Sequence, residues 1–489
     1  MHLIESDARH SRRAFLRRMG HLGIAGSAAP WALSLAGMGE AAAQTATDYK
    51  ALVCVFLYGG NDYANTVVTY DDPSYNAYAT IRGGGPNQTA GGIAIAKAEL
   101  APTLLDPTVA LPGGRQYAFH PAMTGLAGLF DAGQAAVQLN VGPLVVPLVR
   151  SQYASSNRAL YPVPPKLFSH NDQQSTWQSS SPEGSTIGWG GNIGDEVLSQ
   201  NGQSLFTCIS VAGNAVFLSG DNTLCYQVGT GGAVSINSVR SGGSTFGSRK
   251  VNAAMSALVQ QARTHTLENE YNRVTARAVG AADTVNGAIG SGYAAGTFPA
   301  NNGLASQLAM VARLIRGRST LGAKRQVFFV SMGGFDLHDN LIANQRGLMT
   351  NLSEALKAFQ AEMVLQGLDQ KVTCFTASDF GRTLASNGDG TDHGWGSHHI
   401  VVGGAVKGKA IYGTAPPVSI GNSNGDIDQW HVGQGRLIPS TSVDQYAATL
   451  ARWFGVSDTD QLRILPNLKN FGGNANGIAY PRDLGFMKA

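Results

Sequence analysis

Three apolar runs, each ending in a polar turn that carries an acidic residue, constrain the fold more than any other feature of this sequence. They cover residues 51–58, 325–332 and 372–377. Short apolar runs bounded by turn residues are typical of strands buried on both faces of a parallel sheet. Helical patterns lie between the runs, and strand, helix, strand is the order of parallel strands joined by crossover helices. We therefore predict an α/β fold, with a central, mostly parallel sheet and helices on both of its faces.

Weaker patterns extend this sheet and its helices. Further strands are predicted at residues 135–141, 206–211 and 399–403. Two helices have clear apolar faces and end signals: one covers residues 341–363 and stops at Gly367, and the other follows a Thr441 or Ser442 cap and stops at Gly455. Residues 248–279 predict a long helix, with an apolar side formed by Leu258, Val259, Leu267, Tyr271 and Val274.

Loop-rich segments interrupt these elements. Residues 71–115 show no periodicity, and residues 280–303 are predicted to be a loop of small residues. Residues 213–247 combine Gly, Ser, Asn and Val in short alternating pieces and are predicted to be an inserted, β-rich excursion. About 446 residues (489 minus 43) follow the predicted signal, enough for one large α/β domain or two smaller ones, and we expect residues 44–489 to form a single domain with loop-rich insertions.

The N-terminus has the pattern of a twin-arginine export signal. Ser11-Arg12-Arg13-Ala14-Phe15-Leu16 precedes a weakly apolar run over residues 20–38, and Ala41-Ala42-Ala43 resembles a cleavage site. A membrane anchor is the alternative, but Gly, Ser and Pro30 interrupt the run, which makes it too weak to span a bilayer. We therefore predict that residues 1–43 are a removed signal peptide and that the mature protein is periplasmic or secreted.

Charge and composition narrow the classes of partner. The chain has a net charge of +3, of which the five Arg and three acidic residues of segment 1–43 contribute +2. A mature chain near +1, without a basic stripe, argues against nucleic acid as a partner. No later segment has ~18 uninterrupted apolar residues, so no membrane span is expected in the mature chain.

The four cysteines do not suggest a metal site. They are scattered without any C-x-x-C spacing, and this argues against iron–sulfur or thiolate-zinc ligation. Cys54 and Cys374 lie in apolar runs and are predicted to be core residues. Cys208 and Cys225 could form a disulfide in an oxidising compartment or remain separate, and both readings stay open.

Carboxylates and imidazoles gather after the predicted strands. Asp62 follows the first run, Asp336 and His338 follow the second, and Asp379 follows the third, with Asp392-His393 a short loop away. Neighbouring parallel strands bring such residues to one edge, where their carboxylates repel one another unless a divalent cation lies between them. Mixed imidazole and carboxylate ligands suit Zn²⁺, or Mg²⁺, Ca²⁺ or Mn²⁺ if carboxylates dominate, with one or two ions. The plainer interpretation is that each motif is an ordinary solvated turn.

A hydroxyl candidate lies elsewhere in the chain. Ser169, in the run Ser169-His170-Asn171-Asp172, precedes a short polar helical pattern. It could be a simple N-cap, or a nucleophile or anion contact at a helix N-terminus.

These motifs resemble a known family. GGND at 59–62, FDLHD at 335–339, SDFGRT at 378–383 and GTDHGWGSHH at 390–399 resemble the DUF1501 family, which is related to the alkaline phosphatase and sulfatase superfamily. The resemblance implies an alkaline phosphatase/sulfatase-like α/β fold with two metal sites. Asp62 would serve the metal nearer the nucleophile, Asp336 and His338 would hold the other, and Asp379 and His393 would complete the ligand set. One departure is clear, because Phe380 stands where the superfamily has the His of an Asp-His dipeptide.

Two hypotheses follow. The first is an exported, metal-dependent hydrolase of phosphate or sulfate esters, acting on a small-molecule or polymer substrate. Its metal would polarise the ester, Arg382 would stabilise the developing negative charge, and Ser169 or a water molecule would attack. The second, motivated by Phe380, is a non-catalytic exported protein that keeps the fold and a structural metal site.

Overall fold

The computed structural model describes residues 48–83, 92–240, 242–290 and 298–488. Residues Asp48–Ala489 form one compact unit. The predicted signal peptide, residues 1–43, lies outside the described residues. In the part of the chain that is described, no helix combines the length and apolar character needed to cross a bilayer.

A nine-stranded sheet lies at the centre of this unit. The strands of the described chain are β1 Lys50–Leu57, β2 Val67–Thr69, β3 Tyr117–Phe119, β4 Ala135–Gly142, β5 Cys208–Ser210, β6 Tyr226–Gln227, β7 Arg325–Met332, β8 Val372–Ser378, β9 Ser397–Val402, β10 Ala410–Tyr412, β11 Thr441–Ser442, β12 Asn474–Ala475 and β13 Ile478–Ala479. The strand order in the nine-stranded sheet is β10-β4-β9-β8-β1-β7-β5-β6, with β11 also paired to β4, and β2–β3 and β12–β13 form two small antiparallel sheets. Only β9 runs antiparallel to its neighbours among the described strands of the large sheet, so the predicted α/β class with a mostly parallel sheet is confirmed.

Helices connect and cover the strands. They are α1 Tyr63–Thr66, α2 Asp72–Arg82, α3 Lys97–Leu100, α4 Thr124–Asp131, α5 Arg150–Tyr153, α6 His170–Ser179, α7 Trp189–Val197, α8 Arg249–Gln260, α9 Thr266–Ile289, α10 Gly303–Arg316, α11 Leu341–Leu365, α12 Val443–Phe454 and α13 Asp458–Ile464. The predicted ends of α12 are confirmed: Ser442 and Gln445 form a capping box, and Gly455 ends the helix in the left-handed conformation.

The sheet divides the core into two layers, because successive side chains of a strand point to opposite faces. Alternate residues of β1, beginning with Ala51 and Val53, pack in a cluster that includes apolar residues of α4, α9, α10 and α11. The intervening residues Leu52, Cys54 and Phe56 pack in a second cluster with α7, α12 and α13. Burial of β1 on both faces explains why its sequence is uniformly apolar rather than alternating.

Three predictions about connecting segments need correction. Residues 71–115 contain α2, where Asp71 caps the helix by accepting from the Ser74 N–H group. Residues 213–247 are not β-rich, because their described part holds the two-residue strand β6, a 3-10 helix at Val216–Leu218, turns and isolated bridges. The pattern at 248–279 forms two helices, α8 and α9, and α9 continues into the predicted loop as far as Ile289.

The cysteines are all free thiols in this structure. Cys54, Cys208 and Cys374 are buried, and burial raises the pKa of each thiol. Buried thiols with raised pKa values are chemically inert core residues. Cys208 and Cys225 directly precede Ile209 and Tyr226, which are paired in the parallel strands β5 and β6, so the two thiols lie at neighbouring positions and the disulfide between them stays a prediction.

Candidate metal centre

The turn after β1 forms the floor of the candidate site. Gly59 and Gly60 have φ values of 114° and 83°, which L residues rarely adopt. A Cβ atom at Gly59 would overlap the backbone of Asp336, and one at Gly60 would overlap the Phe380 ring. Both glycines are therefore required for the turn and for the close approach of the neighbouring strand ends.

The predicted strand-end residues do meet at one edge of the sheet. β1 pairs in parallel with β7 on one side and β8 on the other, and Leu57 aligns with both Met332 and Ser378. This register places Asp336 and Asp379 just beyond adjacent strand ends. An isolated bridge between Arg382 and His393 returns the following loop to the same place.

A residue from outside these strands completes the cluster. His170 is the first residue of α6, and its Nε2 lies 3.1 Å from Nε2 of His393 and 3.3 Å from Oδ2 of Asp336. One ligand atom from each of these three residues lies within 4.8 Å of the other two. Nε2 of His338 lies 3.0 Å from Oδ1 of Asp336 and 3.1 Å from Nε2 of His393. Three imidazoles and one carboxylate thus converge.

The outer nitrogen of each of these imidazoles, Nδ1, lies within 3.4 Å of an oxygen atom. Nδ1 of His170 lies 2.7 Å from Oδ2 of Asp379, and Nδ1 of His393 lies 2.7 Å from the carbonyl oxygen of Phe168. Nδ1 of His338 lies 3.4 Å from Oδ1 of Asp392. Each imidazole thus has an oxygen partner at Nδ1, while its Nε2 lies close to Asp336 or to the Nε2 of a neighbouring ring. A cation bound among these Nε2 atoms would use their lone pairs and would remove the repulsion between ring nitrogens 3.1 Å apart.

Electrostatics distinguish the two closest histidines. The hydrogen bond to Asp379 raises the pKa of His170, because the carboxylate stabilises the imidazolium. Desolvation by burial lowers the pKa of His393, even though its bond to Phe168 opposes the shift. His393 is thereby kept in the neutral form that binds metals, and Asp379 makes His170 a more basic ligand.

Asp379, which was predicted to be a metal ligand, is instead a hydrogen-bond partner of His170. Its Oδ2 accepts from His170, from Gln174 Nε2 at 2.8 Å and from the Gly59 N–H group at 3.2 Å. Its Oδ1 is buried and has no hydrogen-bond partner. A buried carboxylate oxygen without a partner is costly, so this atom is the one part of Asp379 that remains able to bind a cation.

Arg382 does not have the predicted role of an open anion contact. Its side chain is fully buried, and it donates to Asp336 Oδ1 at 2.6 Å, to the Gly59 carbonyl at 3.2 Å and to both oxygens of Thr391. The pKa of Asp336 is lowered: desolvation would raise it, but the hydrogen bond and charge of Arg382 outweigh that effect. Arg382 therefore positions an ionised Asp336.

Asp62 does not join the cluster as a ligand, which corrects a further expectation. Its two carboxylate oxygens accept from the Arg82 guanidinium at 2.6 and 2.7 Å, and the side chains of both residues are almost completely buried. Asp62 also caps α1 by accepting from the Ala64 N–H group. A guanidinium thus neutralises the carboxylate that was expected to meet a metal.

Phe380 takes a structural part in the site. Its ring centroid lies 4.8 Å from the centroids of both His170 and His393, and the residue is 1% exposed. Phe380, which departs from the Asp-His dipeptide that the resemblance implied, therefore supports two imidazoles by packing against them. His170 supplies an imidazole from a different element.

Ser169 lies next to His170 but is not a conventional cap. Its hydroxyl makes no capping bond to the helix backbone and instead donates to Asp172 Oδ2 at 2.9 Å. The predicted role of Ser169 as a nucleophile remains a prediction. Sequence reasoning missed His170, although the run Ser169–Asp172 had been singled out, because its hydroxyl and not its imidazole was weighed.

The cluster is open to solvent. The side chains of Asp336 and His338 are 43% and 40% exposed, and those of His170 and His393 are 27% and 26% exposed. A molecule from solvent can therefore reach all four side chains.

Solved structures, a sulfatase among them, align with this chain at very low sequence identity. The PsFucS1 sulfatase from Pseudoalteromonas sp. aligns with 8% identity and a TM-score of 0.36, over 95% of this chain and 78% of that chain. A structure of Ps i-CgsB with k-i-k-neocarrahexaose aligns with 8% identity and a TM-score of 0.33, over 87% and 77%. A Bacteroides thetaiotaomicron protein from a study of glycosaminoglycan metabolism aligns with 8% identity and a TM-score of 0.32, over 84% and 74%. With TM-scores this low, no residue role is transferred from these proteins.

Sequence comparison gives a firmer assignment. No curated protein matches the chain significantly. The profile described as "Protein of unknown function (DUF1501)" matches residues 49–465, which include all four sequence motifs and every ligand candidate described above. This chain therefore belongs to the DUF1501 family.

Proposed function

We propose that this protein is an exported, metal-dependent hydrolase of sulfate or phosphate esters. The observation that carries the proposal is the convergence of the His170 and His393 Nε2 atoms on Asp336, with each outer nitrogen held by an oxygen. Ordinary solvated loops have no reason to bring three imidazole rings and a carboxylate within hydrogen-bond distance of one another. Such an arrangement supports a cation site, and its exposure supports access by a substrate.

The ligand types favour one ion of the zinc class. Imidazole nitrogen suits Zn²⁺ and neighbouring transition metals, whereas Mg²⁺ and Ca²⁺ prefer all-oxygen sites. His170, His393 and Asp336 would hold the ion, and His338 is close enough to add a fourth ligand. A second ion at Asp62 is not proposed, because Arg82 already neutralises that carboxylate.

The chain's own residues prepare the site for ester hydrolysis. When bound, the ion supplies Lewis acidity that polarises the ester. Asp379 orients His170, and Arg382 orients Asp336, so that neither ligand has to reorganise when the substrate binds. Ser169, at the start of α6 beside His170, is the proposed nucleophile, and Asp172 holds its hydroxyl by accepting a hydrogen bond. Attack by Oγ would form its bond to sulfur or phosphorus as the ester bond breaks, and the hydroxyl proton would pass to the departing oxygen so that the alcohol leaves.

Metal content is the first test. Protein purified without chelators should contain about one transition-metal ion per chain by elemental analysis. His170→Ala and His393→Ala should both lose the ion, whereas His265→Ala, which alters an exposed histidine outside the cluster, should retain it. Metal-free wild-type protein would refute the proposal.

Turnover is the second test. A panel of aryl and sugar sulfates and phosphates should contain at least one ester that the wild type hydrolyses and His170→Ala does not. Ser169→Ala should abolish this activity if the hydroxyl attacks, and should leave much of it if water attacks. A fully metallated wild type that turns over no ester, with a melting temperature lowered by His393→Ala, would favour the non-catalytic alternative with a structural metal.

A further inference from the structure

Helix α9 has an apolar seam that is half buried and half exposed. Leu267, Tyr271, Val274, Ala278, Ala281 and Val285 follow one another at spacings of 4, 3, 4, 3 and 4 residues, the repeat of a coiled-coil seam. In the C-terminal half of the helix, Ala281, Val285 and Ile289 pack in the main core. In the N-terminal half, Leu267, Tyr271 and Val274 are 76%, 70% and 49% exposed. The same helix face that packs in the core thus continues beyond it without a partner among the described residues.

Helix α8 does not cover this seam. The buried residue in the N-terminal half of α9 is Asn272, whose side-chain amide donates to the Gln261 carbonyl at 2.7 Å, just beyond the end of α8. Asn272 lies about 100° around the helix from Tyr271. The two helices therefore pack through a different face of α9, and no described part of the chain covers Leu267, Tyr271 and Val274.

The charges beside the seam are self-complementary. Glu270, Arg273 and Arg277 lie on one flank, at spacings of 3 and 4 residues. Within the helix, Glu270 contacts Arg273 at 3.4 Å and Arg277 at 3.0 Å, and all three side chains are more than half exposed. Exposed pairs of this kind are worth only about 0–1 kcal/mol each, so they can exchange partners at little cost.

We propose that the N-terminal half of α9 is the docking surface for a second copy of this chain, in an antiparallel, two-fold pairing of the two α9 helices. In this arrangement Tyr271 lies opposite Val274 of the second copy, and Leu267 lies opposite Ala278. The same symmetry places Glu270 between Arg273 and Arg277 of the other helix. A two-fold axis requires such a self-complementary surface, and a charge order of acidic then basic along one flank provides it.

The narrow shape of the seam selects a helix over a lipid surface. Helices that lie on membranes have a broad apolar face bordered by basic residues, whereas this seam is one side chain wide and is bordered by Glu268 and Glu270 as well as arginines. Three exposed side chains bury much less than the ~800 Å² per partner of a standard interface. The dimer is therefore expected to be weak and to depend on protein concentration.

Charge reversal tests the pairing in the full chain. Wild-type protein should shift from monomer to dimer with rising concentration in sedimentation equilibrium. Glu270→Arg should shift the curve towards monomer, because it places like charges opposite one another. The triple variant Glu270→Arg, Arg273→Glu, Arg277→Glu should restore the wild-type curve, since it inverts both partners. Unchanged association in Glu270→Arg, or failure of the triple variant to recover, would overturn this pairing.

Cross-linking tests the register. Tyr271→Cys combined with Val274→Cys should give a covalent dimer under mild oxidation, while Leu365→Cys, which places a thiol at the exposed last residue of α11, should not. A wild type that stays monomeric at all concentrations but binds anionic vesicles through Leu267 and Tyr271 would assign the surface to lipid and reject the dimer. Metal content is unchanged in all these variants, so this inference can fail while the proposed metal site stands.

Discussion

Two carboxylates that follow neighbouring strands, Asp62 and Asp336, have opposite environments. Asp62 is almost completely buried and forms a two-point ion pair with Arg82. Asp336 is half exposed, and three histidines and one arginine surround it. Both residues occupy equivalent places in the sequence, directly after a buried apolar run.

The difference lies in where the compensating positive charge comes from. A buried carboxylate requires a cation, and the protein can supply it as a side chain or leave it to be bound from solution. At Asp62 the chain supplies it. At Asp336 the chain also supplies a guanidinium, but Arg382 contacts only Oδ1, and the Nε2 atoms of three histidines lie 3.0 to 3.4 Å from the carboxylate. An acidic residue after a buried strand therefore indicates that a positive charge lies nearby, but it does not specify whether a side chain or a bound metal ion supplies that charge.

Removing the built-in cation should produce the largest effect. Arg82→Ala leaves Asp62 buried and unpaired, which should lower the free energy of unfolding by about 3–5 kcal/mol. Asp336→Asn keeps an acceptor for Arg382 in an open environment and should cost only about 1 kcal/mol in metal-free protein. Urea unfolding of both variants measures the contrast, and equal losses would remove the distinction between the two sites.

The second largest loss of stability is expected from a substitution at Gly60, in the turn between β1 and Asp62. Gly60→Ala forces a Cβ atom into the buried Phe380 ring, which should cost about 1–3 kcal/mol more than the backbone strain alone. Gly113→Ala is the matched control, because Gly113 has a similar positive φ of 69° but no atom within 4 Å of the added Cβ. Because Phe380 supports His170 and His393, Gly60→Ala should also weaken metal binding. Identical stabilities for the two variants would argue against tight packing at Phe380.

Asp379 provides a test within the open site. Asp379→Asn keeps the shape of the side chain but removes the carboxylate that orients His170, which should weaken metal affinity about 10–100-fold, or about 1.4–2.7 kcal/mol. Asp392→Asn is the control, since Asp392 lies 3.4 Å from Nδ1 of the more exposed His338. Competition with a chelator measures both affinities. A larger loss for Asp392→Asn would show that His338, and not His170, is the principal ligand.

The smallest change in stability is expected at Asp48, a third carboxylate that is paired with basic side chains of the protein. The pKa of Asp48 is lowered to about 2: desolvation would raise it, but hydrogen bonds and charges from Lys371 and Arg325 outweigh that effect. Because the folded pKa lies below the unfolded one, the stabilisation is present above about pH 4 and is lost as pH falls towards 2. Asp48→Asn should flatten the acid limb of the stability–pH curve, whereas Asp106→Asn, at an exposed carboxylate, should not. An unchanged acid limb would contradict the shift.

Much of the site could be predicted because it depends on local pattern and strand direction. Asp336, His338 and His393 meet as expected, since the apolar runs specify parallel strands whose ends share an edge. The partner of Asp62 could not be predicted, because Arg82 ends a helix in a segment without visible periodicity. The role of Arg382 depended on its burial, which one sequence does not reveal.

The exposed seam of α9 shows a second limit of pattern reading. Leu267, Tyr271 and Val274 share one apolar side of the predicted helix, yet they are exposed. A helical pattern predicts which residues lie on the same face, but it cannot tell whether that face meets the chain itself or another molecule.

The sequence by itself determined the α/β class, the parallel strands and the edge at which the polar residues gather, because periodicity and turn residues act over a few positions. Only the tertiary structure decided which cation meets each carboxylate. His170 is 209 residues from Asp379 and 223 from His393, and Arg82 is 301 residues from Thr383, whose carbonyl it contacts. Contacts over such separations depend on how whole helices pack on the sheet, and no local pattern in the chain encodes them.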